Sequence, residues 1–138
     1  MTVDELNMLV TEAILRADAL ADLDSPTAAE AYLEVSLIEE RLAVALPASD
    51  VEGAIARRGA VRAADIAGEH DRARDLATRY LAEEDGSPEL REEIMTLIDE
   101  RERSFGARYP HVAARFGLVE IARVTRALVK QGAPFPVG

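Results

Sequence analysis

Two histidines, several pairs of adjacent carboxylates and one short basic ridge are the groups in this sequence whose types and spacing bear on chemistry. His70 lies between Glu69 and Asp71, and His111 follows Pro110. The residues three positions before them are Ala67 and Arg108, so neither supplies the Glu-x-x-His pair that a di-iron bundle needs on each of two helices. His70 could titrate or touch a metal, but both histidines read most simply as structural, one in a turn and one in a first helical turn. Glu39-Glu40, Glu83-Glu84, Glu92-Glu93 and Asp99-Glu100 are adjacent in sequence. Helical neighbours point about 100° apart and do not converge as an acid and a base, so solvated faces account for most of them. General acid–base work would need one of these carboxyls to be perturbed by burial.

The motifs of most other chemistry are absent; a Ser-His-Asp arrangement stays open but has no Gly-x-Ser-x-Gly elbow, and an enzyme of another class is the third reading. With no cysteine there is no disulfide scaffold, thiolate nucleophile, cysteine zinc site or iron–sulfur cluster. Phosphate-binding loop, dinucleotide glycine, EF-hand, His-Glu-x-x-His and Gly-x-Ser-x-Gly patterns do not occur. The expectation is a non-enzyme with no cofactor, no metal and no evident small-molecule substrate.

Arg123, Arg126 and Lys130 are spaced three and four, which places them on one side of a helix, and Arg115 extends this ridge. These four residues are the candidate partner-binding set. The net charge is −10, and it is unevenly spread: residues 1–56 carry −10, residues 57–100 carry −5 and residues 101–138 carry +5. The ridge therefore reads first as pairing within the chain or between subunits, and second as a surface for an acidic protein. Nucleic acid comes after these, because the ridge lacks interleaved aromatics and the rest of the surface repels phosphate. Glu120 and the scarcity of bulky apolar side chains argue against a membrane-surface helix.

The elements that must position these groups are helices. A chain of 138 residues, 49% apolar and 30% charged, has the size of one folded domain and lies away from the composition of disorder. No signal-peptide pattern opens the chain and no run of about 18 apolar residues interrupts it, which predicts a soluble cytoplasmic protein. Apolar residues recur at helical spacing throughout and strand alternation does not, so the fold class is all-α.

About six helices are expected. The first runs from a capping box at Thr2/Glu5 to about Leu23, and the second starts after Pro26 at a box formed by Thr27 and Glu30. The second has one apolar stripe through Ala31, Val35, Ile38 and Leu42 and another through Leu33, Leu37 and Val44. Being apolar on two sides, it is the candidate centre of the bundle. Pro47 stops it, and Ser49 with Glu52 gives a third box. The alanine-rich third helix then carries Val51, Ala54, Ile55 and Val61 and ends at Gly68. The fourth has the stripe Ala73, Leu76, Ala77, Tyr80 and Leu81. Ser87 and Pro88 open the fifth, which carries Leu90, Ile94, Leu97 and Ile98 and gives way to a loop over 104–109. A sixth runs from Pro110 to about residue 131. Short connections make the helices successive antiparallel hairpins, giving a helical domain over 1–131 and a Pro/Gly-containing tail over 132–138.

The run from Ala67 to Leu76 resembles the hairpin of a tetratricopeptide (TPR) repeat. Gly68 closes one helix, and Ala73, five positions later, is the small residue at which the two helices of that family cross closely. Ala77 and Tyr80 reverse the large and small positions of the family pattern, and Arg57, Ala60 and Val61 replace its first-helix signature. The likeness spans about one hairpin. A compact bundle and a short TPR-like stack both stand as architectures; the resemblance implies a concave face that binds peptides or proteins without catalysis. The functional expectation is a protein–protein interaction module or homo-oligomer, whose surface combines the basic ridge with the alanine-rich third helix and its hairpin partner. The alternative is a small nucleic-acid-associated regulator using Arg115, Arg123, Arg126 and Lys130.

Overall fold

The boundary signals become five helices in the structure, a computed structural model that describes residues 1–108: α1 (Val3–Asp22), α2 (Ala28–Ala45), α3 (Val51–Ile66), α4 (His70–Leu81) and α5 (Pro88–Arg108). No strand occurs among the described residues. The expected sixth helix, the tail 132–138, His111 and the ridge of Arg115, Arg123, Arg126 and Lys130 lie outside the described residues.

Thr2, in extended backbone, caps α1 by accepting the Glu5 N–H on Oγ1 at 3.1 Å. The helix ends in a Schellman turn: Ser25 N–H donates to Leu20 O and Asp24 N–H to Ala21 O, with Asp24 at φ +52°. The same motif ends α3, where Glu69 N–H reaches Ala64 O, Gly68 N–H reaches Asp65 O and Gly68 sits at φ +81°. Ser87 Oγ accepts the Leu90 N–H at 3.1 Å, so Ser87 and Pro88 open α5 as their types dictate.

Three boundaries differ from expectation. Thr27 makes no side-chain cap, because its backbone (φ −90°, ψ 0°) lacks the extended shape that aims a cap oxygen at the first turn. The cap position of α3 is Asp50 rather than Ser49, and it too makes no side-chain cap. Helix α5 continues through 104–108 instead of giving way to a loop. A lone glycine inside a helix, here Gly106, costs only about 1 kcal/mol relative to alanine and does not end it.

Packing follows chain order with one centre. Helix α1 packs on α2, α2 also packs on α3, and α3 further contacts α4 and α5, which contact each other. The centre is thus α3 rather than the two-striped α2, because its buried residues Gly53, Ala56, Ala60, Ala63 and Ala64 are small enough for several neighbours to approach. These alanines form core and are not the partner surface expected of them. Helices α2 and α4 both lie on α3 without packing on each other. Leu6, Val10, Ala31, Val35, Ile38, Leu42, Val61, Leu76, Leu81, Leu90 and Ile94 are among the other core residues.

Helix α2 does have two buried sides, but the second is not the aliphatic one. Ser36, Glu39 and Ala43 are buried, whereas Leu37 is 46% and Val44 85% exposed. Val51 and Ile55 of α3 are likewise exposed.

Candidate functional site

Pro47 prevents α2 from continuing, and a helix that stops leaves its last carbonyls without partners. Leu46 N–H takes the Leu42 carbonyl at 2.9 Å. Two further carbonyls at this end are taken by Arg57 of α3, a guanidinium only 4% exposed. Arg57 Nη1 donates to Leu46 O at 3.0 Å and Gly53 O at 2.9 Å, Nη2 donates to Ala43 O at 3.1 Å, and Nε and Nη2 each donate to the Glu83 carboxylate at 2.8 Å. All five N–H groups are used, which is what keeps a buried guanidinium tolerable. The paired Glu83 carboxylate raises the Arg57 pKa against the opposing effect of burial. Gly53 is required at this joint, since a Cβ there would stand 2.0 Å from the Pro47 carbonyl oxygen.

Glu83 is positioned in turn by α5. Arg91 Nη1 donates to Leu81 O at 2.6 Å and Nη2 to Glu83 O, closing the end of α4. One turn back, Tyr80 lies under Arg57, whose Cζ is 5.5 Å from the ring centroid. Tyr80 is 7% exposed, and its hydroxyl finds no hydrogen-bond partner among the described residues. Burial and the charge of Glu40 push its pKa up to about 12.

A second polar chain spans the gap between α2 and α4. Ser36 Oγ donates to Ala60 O at 2.8 Å and accepts Arg72 Nε at 3.1 Å. Arg72 Nη2 donates to Glu40 Oε1 at 2.8 Å, and Arg79 Nη2 to Glu40 Oε2 at 2.6 Å. Burial raises the Glu40 pKa, but the two arginines outweigh it and the net shift is downward. Ionic links thus join helices that do not pack together.

Between these networks lies an open cleft of about 510 Å³, lined by Glu40, Ala43, Val44, Ala45, Leu46 and Pro47 from α2 and its exit, Arg57 from α3, and Arg79, Tyr80 and Glu83 from α4 and its exit. Its volume falls within the usual range of ligand sites. Most of its polar groups are already paired. Arg79, with a side chain 58% exposed, makes one hydrogen bond among the described residues, and Tyr80 makes none.

The carboxyl most perturbed by burial is elsewhere. Glu39 is 7% exposed, packs against Gly59 of α3 and makes no hydrogen bond among the described residues. A Cβ on Gly59 would lie 2.8 Å from its carboxyl, so the missing side chain is the slot the acid occupies. Burial alone drives its pKa up to about 7. Glu39 does not line the cleft, so the carboxyl whose pKa burial raises and this depression do not coincide. Glu39 and Glu40 diverge as adjacent helical residues must, but into two interfaces rather than into solvent. Likewise Glu93 pairs with Arg58.

His70 begins α4 with Nδ1 2.9 Å from Asp65 Oδ1. Among the described residues no three His, Asp or Glu side chains are arranged to hold a metal, and no described helix is long and apolar enough to cross a membrane. Arg57, Arg79 and Tyr80 were not singled out as site residues by sequence reasoning, and Glu39 and Glu83 entered it only within carboxylate pairs ascribed mostly to solvated faces. For Arg57 a signal exists: it occupies the stripe Gly53-Arg57-Ala60-Val61-Ala64, where a charge among small apolar residues must be matched internally. Against this geometry, no protein-family model, no curated protein and no solved structure matches the chain.

Proposed function

We propose that the chain is a non-catalytic helical interaction module that holds a segment of a partner polypeptide along the α4-facing edge of α2. The observation that carries this reading is the row Leu33, Leu37 and Val44. Spacings of four and seven put the three on one side of α2 together with Glu40, which Arg72 and Arg79 of α4 hold. The helix leaves Leu37 and Val44 in water while burying Ser36 and Glu39 on its α3 side. That inversion of the usual partition fits a face reserved for a partner. The row spans about 16 Å of helix, and Val44 also lines the cleft. The tetratricopeptide-like run, with its implied peptide binding, forms the α3–α4 junction on the other side of the same gap.

The test is affinity capture from host lysate, with and without nuclease, comparing the wild type with Leu37→Glu/Val44→Glu, whose helicity is checked by circular dichroism. Specific proteins that survive nuclease and are lost with the folded variant support the module. Capture that depends on nucleic acid replaces it with the regulator reading, and full capture by the variant removes α2 from the interface. Sedimentation equilibrium of the protein alone identifies the outcome in which the occupant is a second copy of the chain.

A further inference from the structure

We infer that the seam between α1 and α3 is the docking site of this chain's own C-terminal segment, residues 112–131. The segment returns antiparallel to α3, with its aliphatic stripe on Ile55 and Ile66 and its basic residues toward the acids of α1. The seam lies on the flank of α2 opposite Leu37 and Val44, so the inference goes beyond the interaction-module reading and does not rest on it.

Helices α1 and α3 both pack on α2 and do not pack on each other, so a seam floored by α2 separates them. Tyr32, Glu39 and Leu46 recur at a spacing of seven along that floor. Tyr32 Oη donates to Asp18 of α1 at 2.7 Å, the Glu39 carboxyl lies against Gly59 of α3, and the Leu46 carbonyl accepts Arg57 of α3. The side of α1 that carries Asp18 also carries Asp4, Ile14 and Asp22, and the side of α3 that carries Gly59 also carries Ile55 and Ile66. All six of these flanking residues are exposed. The seam thus leaves aliphatic surface in water on both walls, with acids along one of them, which is the signature of a face that something covers.

Charge, length and register select the occupant. Residues 1–108 hold 25 acidic and 12 basic residues, whereas residues 109–138, outside the described residues, hold one acidic and four basic. The basic four are Arg115, Arg123, Arg126 and Lys130, and they flank the stripe that contains Leu118, Ile121, Leu128 and Val129. Helix α5 runs parallel to α3, since Glu93 pairs with Arg58, and Leu97 and Ile98 meet Val61 and Asp65. It continues ten residues past Ile98, which carries its end about 14 Å beyond that of α3. A helical return that starts at Pro110 then sets Leu118 abreast of Ile66 and Val129 abreast of Ile55, the two spans being equal at eleven residues. With the stripe seated so, the right-handed turn of an antiparallel segment aims Arg115, Arg123 and Lys130 at the α1 wall of Asp22, Asp18 and Asp4. On the other flank of α5, α4 turns Asp71, Asp75 and Arg79 outward and offers no aliphatic row.

The chain has no cysteine, so Ala127→Cys in the full-length, 15N-labelled protein gives one nitroxide attachment point, on the side of the segment away from its stripe. Backbone amide intensities are compared by NMR with the nitroxide oxidised and reduced. The amides of Thr11, Ile14, Ile55 and Gly59 are expected to lose most of their intensity, and those of Asp71 and Asp75 on α4 far less. Ile55→Glu/Ile66→Glu alters two exposed residues and leaves the core intact, with helicity checked by circular dichroism; in the labelled chain it is expected to restore the lost intensity. Arg115→Glu/Arg123→Glu/Lys130→Glu is expected to restore much of it. Absence of the loss, a loss centred on Leu33, Leu37 and Val44 instead, or a loss that survives Ile55→Glu/Ile66→Glu each overturns the inference. So does an equal loss in 15N-labelled wild type mixed with unlabelled, nitroxide-bearing protein, because the occupant is then a second copy of the chain.

Discussion

Replacing Glu39 with glutamine isolates the free energy of a buried, unpaired carboxyl. Glu39→Gln keeps nearly the size and the neutrality of the protonated acid while removing its ability to ionise. The folded pKa of about 7 against an ordinary value of 4.5 means that, between those pH values, the folded state holds a proton the unfolded state has released. Stability from this group is therefore highest below pH 4.5, falls as pH rises through the window and levels off above 7. At 1.36 kcal/mol per unit, the wild type at pH 8 carries a penalty of about 3 kcal/mol that the glutamine variant lacks, and at pH 4 one of a few tenths. Urea unfolding followed by circular dichroism at pH 4, 6 and 8 measures both proteins, and acid effects common to them cancel in the difference. The variant is expected to match the wild type at pH 4 and to exceed it by about 3 kcal/mol at pH 8, on the order of 10 °C in Tm. A difference that does not change with pH would refute the reasoning, because it would mean Glu39 ionises in the folded protein as it does in water.

Arg57→Met is expected to lower stability by about 3–5 kcal/mol at neutral pH, since it strands Glu83 and the carbonyls of Ala43, Leu46 and Gly53. Arg57→Lys should recover only a small part, having three donors without the guanidinium fork; thermal melts that leave either variant at wild-type stability would contradict the joint described for it. Gly53→Ala is expected to destabilise by about 2 kcal/mol or more despite the higher helix propensity of alanine, because its Cβ meets main chain at Pro47 rather than a movable side chain; a rise in the urea midpoint would show that α2 and α3 can separate freely there. Asp24→Gly is expected to stabilise by about 0.5–1 kcal/mol, relieving the left-handed backbone at φ +52° and removing an acid from the negative end of α1. Calorimetry showing a fall in Tm would indicate that the aspartate earns its place through an interaction in the turn.

The helix ends were legible wherever one residue type has one local solution. Thr2 and Ser87 cap with their own oxygens, Pro47 and Pro88 mark a stop and a start, and Gly68 takes the positive φ that a Schellman turn requires. Thr27 and Ser49 stand three residues before a glutamate as Thr2 does, but their caps depend on a backbone angle or a one-residue offset that the preceding turn imposes. The α4 stripe was fully legible because all five of its residues face one neighbouring surface. The stripes of α2 and α3 were legible only in part. Periodicity says which residues share a side of a helix and nothing about which side a neighbour covers.

By itself, then, the sequence determined the helical class of the described residues, the helix ends marked by Thr2, Pro47, Gly68, Ser87 and Pro88, and a chain free of cysteine and of recognisable catalytic motifs. These follow from interactions between residues no more than about five positions apart, which the letters encode directly. Only the tertiary structure decided that α2 turns Ser36 and Glu39 rather than Leu37 and Val44 toward α3, that Arg57 closes the end of α2 with a carboxylate 26 positions away, and that the Tyr80 hydroxyl has no hydrogen-bond partner among the described residues. Each depends on how closely α3 lets its neighbours approach, and that distance is set by small side chains on several helices at once.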